Sequence, residues 1–456
     1  MVSKVRLLSQ KRFFLIFLVI AVYFIYSLAF AAGSGGVSSG TDESHGGPVE
    51  IVLLELIVIL LTAKLGGDLF ERFKQPAVLG ELVFGMIIGN LNLLGFNGFE
   101  IFKTDITLEI LAELGVIILL FEVGLESSVK EMMKVGLESF MVAVFGVIAP
   151  FFLGWWVSAM FLPQESIYVH IFIGATLTAT SVGITARVLK DLGKLRTQEA
   201  KVILGAAVID DILGLVILAV VTGIISAVAT GQDGISSLGV LWIIVKAVLF
   251  IVGAVVIGGF ILPHYFKFAI HLKGKGVFLS FCLLVGFFLS YLAGKVGLAP
   301  IVGAFAAGMI LEDVQYKQFQ EKGEHPIQEL IEPIAIFMVP IFFVRMGMLV
   351  DLTTFARVEI LGFALVLTLV AIIGKQACSL AIFDKKTDRL SIGLGMIPRG
   401  EVGLIFAAIG SKIILDGEKM ISPSTYSAVV IMVILTTLVT PPFLKVSLLR
   451  KDKKKK

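Results

Sequence analysis

Two adjacent carboxylates, Asp210 and Asp211, lie near the middle of an apolar run that extends from about residue 202 to residue 225. They are the only charged residues between Lys201 and Asp233, a stretch long enough to cross a bilayer core of about 30 Å as a helix. Carboxylates at that depth must face water, a cation or a basic partner, and two in succession repel each other. The alternative is that the two carboxylates only pack against a neighbouring helix. Helix packing, however, needs neither two acids nor the free-energy cost of burying both. The pattern indicates a cation site in a membrane transporter.

A lysine within another apolar run is the natural counterpart of this acid pair. Lys375 falls near the middle of the run that contains the sequence IIGKQ at 372–376. An intramembrane lysine needs a carboxylate, and Asp210 is the partner that we expect. The alternative, a lysine that reaches an interface along its stem, is disfavoured by its distance from both ends of the run.

Hydroxyl side chains interrupt the apolar segment that precedes the acid pair. The stretch TLTATSVG at 176–183 places four hydroxyl residues and a glycine in mid-membrane, which weakens a helix and supplies oxygen ligands. Thr178, Thr180 and Ser181 therefore join Asp211 as candidate cation ligands. Such hard oxygen ligands suit Na⁺ or Li⁺ rather than a soft metal.

A second interruption lies in the stretch GLGMIPRGEVG at 393–403, where Pro398 removes a backbone donor among four glycines. Breaks in corresponding segments are the best sequence indication of a transport site, whereas one break alone would favour a simple kink. Arg399 and Glu401 lie inside this interruption. We expect them to neutralise helix ends or each other, as supports of the site rather than as ion ligands.

These groups predict a coupled exchange. Asp210, Asp211 and Lys375 cannot all keep fixed charges, because uncompensated charge at the membrane midplane is costly. A cation that arrives requires a deprotonated aspartate and a released or neutral lysine, and protons restore neutrality when the cation leaves. The titration belongs to the group as a whole, and the competition couples cation movement to proton movement without ATP.

The composition is that of a polytopic membrane protein. Of 456 residues, 57% are hydrophobic and only 16% are charged. Cys282 and Cys378 lie within apolar runs, so neither a disulfide framework nor a metal-ligand spacing is present. The sequence contains no nucleotide-binding fingerprint and no nucleic-acid patch, and it offers no nucleophile–base constellation. An enzyme and an ATP-driven pump are both disfavoured, and we expect no cofactor besides the transported ions.

The first 32 residues resemble a signal peptide, because a basic stretch precedes the apolar run 13–30, which ends in a small-x-small sequence at 29–31. The alternative is a retained extra helix. Residues 33–49, rich in glycine and serine, are interpreted as a polar linker.

The rest of the chain is predicted to be all-α, with about thirteen membrane segments. The segments are 50–70, 77–96, 106–124, 136–162, 167–190, 198–228, 235–266, 276–294, 297–313, 327–349, 356–381, 389–412 and 424–447. A cytoplasmic C-terminus leaves few basic residues outside, namely Lys103, Lys295, Arg357, Lys412 and Lys419. The segments divide as six, one and six, which predicts two inverted six-helix repeats with two broken, crossing helices in the core.

Over residues 50–447 the chain resembles bacterial sodium/proton antiporters of the monovalent cation:proton antiporter superfamily, in the branch that also contains potassium efflux proteins. The resemblance rests on QPAVLGE at 75–81, LAELG at 111–115, GLE at 124–126, ATSVGITAR at 179–187, the acid pair, LAPIVGAF at 298–305, PIFF at 340–343 and PRGEVG at 398–403. It implies that Asp211 is the principal Na⁺ ligand, that Asp210 pairs with Lys375, and that exchange is electrogenic. Where some relatives carry an acid in the first break, this chain has Ser181, which gives Glu401 more of the helix-end neutralisation.

The resemblance also implies a core transport domain that moves against a dimerisation domain. The expected division is 50–124 and 276–349 for dimerisation, 136–228 and 356–447 for the core, 235–266 for a linker helix and 448–456 for a basic cytoplasmic tail. We therefore expect a homodimeric, multi-pass protein of the bacterial inner membrane that exports Na⁺ or Li⁺ in exchange for H⁺, with its processed N-terminus outside. The alternatives are a K⁺/H⁺ antiporter of the same fold and a channel-like or sensory membrane protein without coupled exchange.

Overall fold

The architecture is that of a computed structural model, which describes residues 48–73, 75–126, 136–194, 197–229, 237–272, 274–313, 325–383, 387–415 and 418–455. The predicted signal peptide lies outside these residues, as does the predicted linker except for its last two residues, which begin the first helix.

Nine helices form the first part of the described chain. They are α1 (Pro48–Arg72), α2 (Ala77–Gly89), α3 (Ile101–Thr104), α4 (Ile106–Glu126), α5 (Leu137–Phe161), α6 (Ile167–Thr176), α7 (Val182–Asp191), α8 (Gln198–Ala229) and α9 (Ser237–Ala269). A 3₁₀ turn at Leu91–Leu94 follows α2. The predicted segment 167–190 is thus two helices, α6 and α7, with five non-helical residues between them.

Seven further helices form the second part of the described chain. Its helices are α10 (Val277–Lys295), α11 (Pro300–Asp313), α12 (Ile327–Met348), α13 (Val358–Gln376), α14 (Arg389–Gly395), α15 (Glu401–Lys412) and α16 (Pro423–Lys455). The 3₁₀ turns Leu352–Ala356 and Ala377–Ala381 flank α13. The predicted segment 389–412 is again two helices, α14 and α15. One small departure from an all-α fold is an antiparallel pair of two-residue strands, β1 (Ile414–Leu415) and β2 (Glu418–Lys419).

Seven of the described helices are long and apolar enough to cross a membrane, namely α5, α8, α9, α10, α12, α13 and α16. Four shorter apolar helices accompany them, among them α6 and α15, which are halves of interrupted segments. Two further predicted segments, α1 and α4, have 25 and 21 residues but carry several charged residues each, including Glu55 and Glu113, and for that reason are not among these seven. The chain is a multi-pass membrane protein, and thirteen spans remain a prediction.

The described helices pack in two groups. The first contains α1, α2, α4, α10, α11 and α12, and the second contains α5 to α8 and α13 to α16, while α9 contacts both. Small residues allow backbones to approach closely inside the first group. A Cβ at Gly85 of α2 would lie 2.2 Å from the carbonyl oxygen of Val344 in α12. The acid pair, the lysine and both interrupted segments all belong to the second group.

Candidate functional site

Lys375 of α13 and Asp210 of α8 form a buried ion pair. Lys375 Nζ donates to Asp210 Oδ1 at 2.8 Å, and both side chains are 0% exposed. Helix α5 approaches the ammonium group, because a Cβ at Gly146 would lie 3.5 Å from Lys375 Nζ. The other carboxylate oxygen, Asp210 Oδ2, is buried and has no hydrogen-bond partner among the described residues. One positive and one negative charge are thus held together away from water, with one acceptor position left over.

Asp211 has a different environment from its neighbour. Its side chain is partly exposed, whereas that of Asp210 is fully buried. Residues three apart lie on one face of a helix, so Asp211 shares a face of α8 with Gly214. A Cβ at Gly214 would lie 3.8 Å from the Cβ of Ala179, inside the first interruption. The accessible acid of the pair is therefore on the side of α8 that packs against this interruption.

The first interruption lies between α6, which ends at Thr176, and α7, which begins at Val182. The hydroxyl of Thr178 donates to the carbonyl oxygen of Ala175 at 2.7 Å. That of Thr180 donates to the carbonyl oxygen of Met396 at 3.2 Å. A hydroxyl that donates its hydrogen to a carbonyl keeps its oxygen lone pairs. Both oxygens can therefore still bind a cation.

The second interruption lies between α14, which ends at Gly395, and α15, which begins at Glu401, and it contacts the first directly. The backbone N–H of Ser181 donates to the carbonyl oxygen of Pro398 at 2.8 Å. The hydroxyl of Thr185 donates to the carbonyl oxygen of Gly395 at 2.6 Å. We call this contact between the two interruptions the crossing. A side chain at residue 400 is excluded there, because a Cβ at Gly400 would lie 2.6 Å from both side-chain atoms of Ser181.

Arg399 is fully buried in the second interruption and neutralises the carbonyl end of α14. Its Nη1 donates to the carbonyl oxygens of Met396 at 3.3 Å and Ile397 at 3.1 Å. The C-terminal end of a helix carries partial negative charge, so a guanidinium there is favourable. Its Nε and Nη2 have no hydrogen-bond partner among the described residues. Glu401 begins α15, and its side chain lies outside the described part of the chain.

Three threonines that the sequence analysis did not select also hold this crossing in place. Thr436 and Thr437 of α16 bond the backbone of Arg399, the first as acceptor from its N–H at 3.3 Å and the second as donor to its carbonyl oxygen. The third is Thr185, which bonds the end of α14. A signal was available, because TTLVT at 436–440 places three hydroxyls within a predicted membrane segment, as TLTATS does in the first interruption.

A cavity of about 340 Å³ leads from the crossing to the beginning of α2. Ser181, Gly400 and Thr437 of the second helix group line it together with Pro76 and Ala77. Its remaining lining is apolar, and it comes from both groups of helices. The crossing is therefore connected to a space between the two groups rather than enclosed within one.

Comparisons with known proteins show which family and which fold the chain is similar to. Residues 57–448 match the family model described as sodium/hydrogen exchanger, transmembrane. The chain is 40% identical to the high-affinity Na⁺/H⁺ antiporter NhaS3 of Synechocystis, over 86% of this chain and 89% of that protein. It is 36% identical to the Na⁺/H⁺–K⁺ antiporter GerN of Bacillus cereus, over 88% of this chain and 97% of that protein. The structure of the sodium proton antiporter MjNhaP1 from Methanocaldococcus jannaschii has a similar fold, with a TM-score of 0.62 at 18% identity, covering 87% of this chain and 96% of that one.

Proposed function

The chain belongs to the sodium/hydrogen exchanger family, and from that premise we propose that it exports Na⁺ or Li⁺ in exchange for incoming H⁺ by alternating access. The observation that carries the proposal is the buried Lys375–Asp210 pair next to a partly exposed Asp211. A carboxylate that is already paired is a poor ligand for a further cation. The neighbouring carboxylate, which water can reach, is therefore the one that binds the ion.

The proposed ligands of Na⁺ are Asp211 with oxygens of Thr178, Thr180 and Ser181 from the first interruption. The hydroxyls of Thr178 and Thr180 keep lone pairs while they donate to carbonyls. Hard oxygen ligands of this kind suit a small alkali cation. Pro398, Arg399 and Glu401 support the second interruption, which we propose holds the first in a conformation able to bind the ion.

The proposed coupling follows from charge. With Asp210 paired to Lys375, we place the competition between Na⁺ and H⁺ at Asp211, because a partly exposed carboxylate binds one or the other and uncompensated charge in a membrane is costly. Release of Lys375 from Asp210 in one state of the cycle lets a second proton take part. The exchange then moves net charge and responds to membrane voltage.

The proposed architecture has thirteen spans in two inverted six-helix repeats. We propose that the helix group containing residues 136–228 and 356–447 moves as the transport domain against the group containing 50–124 and 276–349. The first group, which contains 50–124 and 276–349, would form a homodimer, and α9 would link the two groups. The positive-inside pattern supports a bacterial inner membrane protein with a cytoplasmic C-terminus, an N-terminus outside and a cleaved signal peptide.

The test is transport by the purified protein in proteoliposomes with an imposed pH gradient. Na⁺ and Li⁺ should dissipate the gradient, and Asp211→Asn should abolish this activity. Asp68→Asn is a matched control, because Asp68 is an exposed acid of α1 whose ion pair with Arg72 lies within that helix. Full activity of Asp211→Asn would refute the assigned ligand.

A K⁺/H⁺ antiporter is the second candidate function, because GerN, at 36% identity, is named a Na⁺/H⁺–K⁺ antiporter. The same proteoliposomes separate the two. A gradient that K⁺ dissipates and that Na⁺ and Li⁺ leave unchanged would favour this second candidate.

A further inference from the structure

A second cluster of charged residues joins the two helix groups at a point away from the crossing. Lys412, the last residue of α15, lies 2.8 Å from Glu109 of α4 between Nζ and Oε1, and it also bonds Glu113 one turn along α4. Arg345, in the last turn of α12, donates to Glu109 Oε2 at 3.1 Å. The first group supplies three of these residues, and the second group supplies only Lys412.

These ion pairs lie at one end of a cavity of about 520 Å³ between the groups. Glu113, Arg345 and Lys412 line it together with apolar residues that lie further along the same helices, such as Val116 and Ile405. Ile405 precedes Lys412 by seven residues, or about 10 Å of helix. The charged residues are thus gathered near the beginning of α4 and the ends of α12 and α15, and the apolar lining extends from there towards the interruption.

Helix α15 connects this cluster mechanically to the crossing. It begins at Glu401, beside Gly400 and Pro398, and ends at Lys412, a distance of about 17 Å along one uninterrupted helix. A displacement of the second interruption relative to the first group therefore has to stretch or break the contacts of Lys412. The cluster responds to the position of the crossing although it lies outside it.

We propose that the Lys412–Glu109/Glu113 ion pairs, braced by Arg345, form a latch that closes this end of the cleft between the two groups in one state of the cycle. With the orientation given above, the latch is on the outer side, so it stabilises the state in which the crossing is closed to the outside. This inference goes beyond the proposed function. Only the assignment of the latch to the outer side and to a transport cycle rests on the proposed function. Each ion pair is partly exposed and contributes little free energy alone. A small free-energy difference between the closed and open states of the cleft is nevertheless enough to shift their populations.

Opening of the latch can be measured without transport. A cysteine introduced at Ala408, which lines the cavity and is 6% exposed, reports access of water-soluble maleimide in detergent-purified protein. The two native cysteines are 0% exposed and give a low background. In the Ala408→Cys protein we expect Lys412→Gln to raise the labelling rate about three- to tenfold. Lys419→Gln is the control, because Lys419 is exposed nearby and no ion pair with it is found in the described part of the chain.

Exchanging the charges of the ion pair distinguishes loss of the pair from a general structural effect of Lys412→Gln. Combining Glu113→Lys with Lys412→Glu in a Glu109→Gln background restores opposite charges at 113 and 412 without setting two acids against each other at 109 and 412, so labelling should return to within about twofold of the rate in that background. Equal labelling rates for Lys412→Gln and Lys419→Gln, or no recovery in the charge exchange, would overturn the latch. Because labelling requires no ion gradient, a protein that fails to exchange Na⁺ for H⁺ can still pass or fail this test.

Discussion

The backbone N–H of Ser181 donates to the carbonyl oxygen of Pro398 at 2.8 Å, so the interruption of one membrane segment is hydrogen bonded to the interruption of another. The two segments are far apart in the sequence, and each interruption alone would leave unpaired backbone groups in a low-dielectric environment. Because the two interruptions hydrogen bond to each other, they form a stable crossing whose geometry depends on both. The acid pair of α8 and the lysine of α13 are arranged around it.

The close contact at the crossing predicts that no side chain is tolerated at Gly400. Gly400→Ala would place a Cβ 2.6 Å from Ser181 Cβ and Oγ, so we expect a loss of stability of about 1–3 kcal/mol and a large reduction in transport rate. Gly403→Ala is the control in the first turn of α15, because a Cβ there would lie 3.5 Å from its nearest neighbour, the side chain of Val433. The measurements are the midpoint of thermal unfolding in detergent and the rate of Na⁺-driven proton movement. Adding Ser181→Gly should recover stability, and unchanged unfolding of Gly400→Ala would contradict the close packing.

The ion pair predicts a voltage effect at Lys375. Lys375→Gln leaves Asp210 buried without its cation, so we expect lower thermal stability together with exchange that no longer responds to membrane voltage. The double variant Asp210→Asn/Lys375→Gln should be more stable than Lys375→Gln alone, because it carries no uncompensated charge. Lys246→Gln is the control, since Lys246 is an exposed lysine of α9 above the ring of Trp242. Retained voltage sensitivity in Lys375→Gln would show that this lysine does not set the charge balance.

The buried guanidinium predicts that charge and geometry both matter at position 399. Arg399→Gln removes the cation from the carbonyl end of α14, and we expect a loss of about 3 kcal/mol and no transport. Arg399→Lys keeps the charge and should retain part of both properties. Arg389→Gln serves as control, because it also removes an arginine-to-carbonyl bond, from Arg389 Nη2 to Ile382 O, but at the beginning of α14. Equal unfolding midpoints for the two glutamine variants would argue against a special role of the crossing.

The hydroxyls of α16 predict a smaller effect. Thr437→Val removes the donor to the carbonyl oxygen of Arg399, so we expect a loss of about 1 kcal/mol and a several-fold lower transport rate. Thr440→Val removes a hydroxyl that bonds only within α16, to the carbonyl oxygen of Thr436, and should change transport little. The comparison uses the same two assays. A larger defect in Thr440→Val than in Thr437→Val would show that bonding to the second interruption is not what matters.

Much of the arrangement was predictable from the order of residues because the membrane penalises certain residues strongly. Charges within apolar runs are costly, so Asp210, Asp211 and Lys375 could be selected without a structure. Hydroxyl residues, proline and glycine weaken a helix at the position where they occur, and the helix ends at Thr176 and Gly395 lie in the two stretches selected for these residues. The resemblance to sodium/proton antiporters is confirmed by the match of residues 57–448 to the family.

Only the tertiary structure showed which residues of different segments contact each other. Hydropathy and spacing describe one segment at a time, so they could not show that Thr436 and Thr437 bond Arg399, or that Thr185 bonds the end of α14. The sequence gives no sign that the charged residues near the beginning of α4 meet those at the ends of α12 and α15. The sequence by itself determined which residues cannot be left unpaired in a membrane. Only the packing of the helices decided which partner satisfies each of them, because hydrogen bonds and ion pairs form at a few ångströms whatever the separation along the chain.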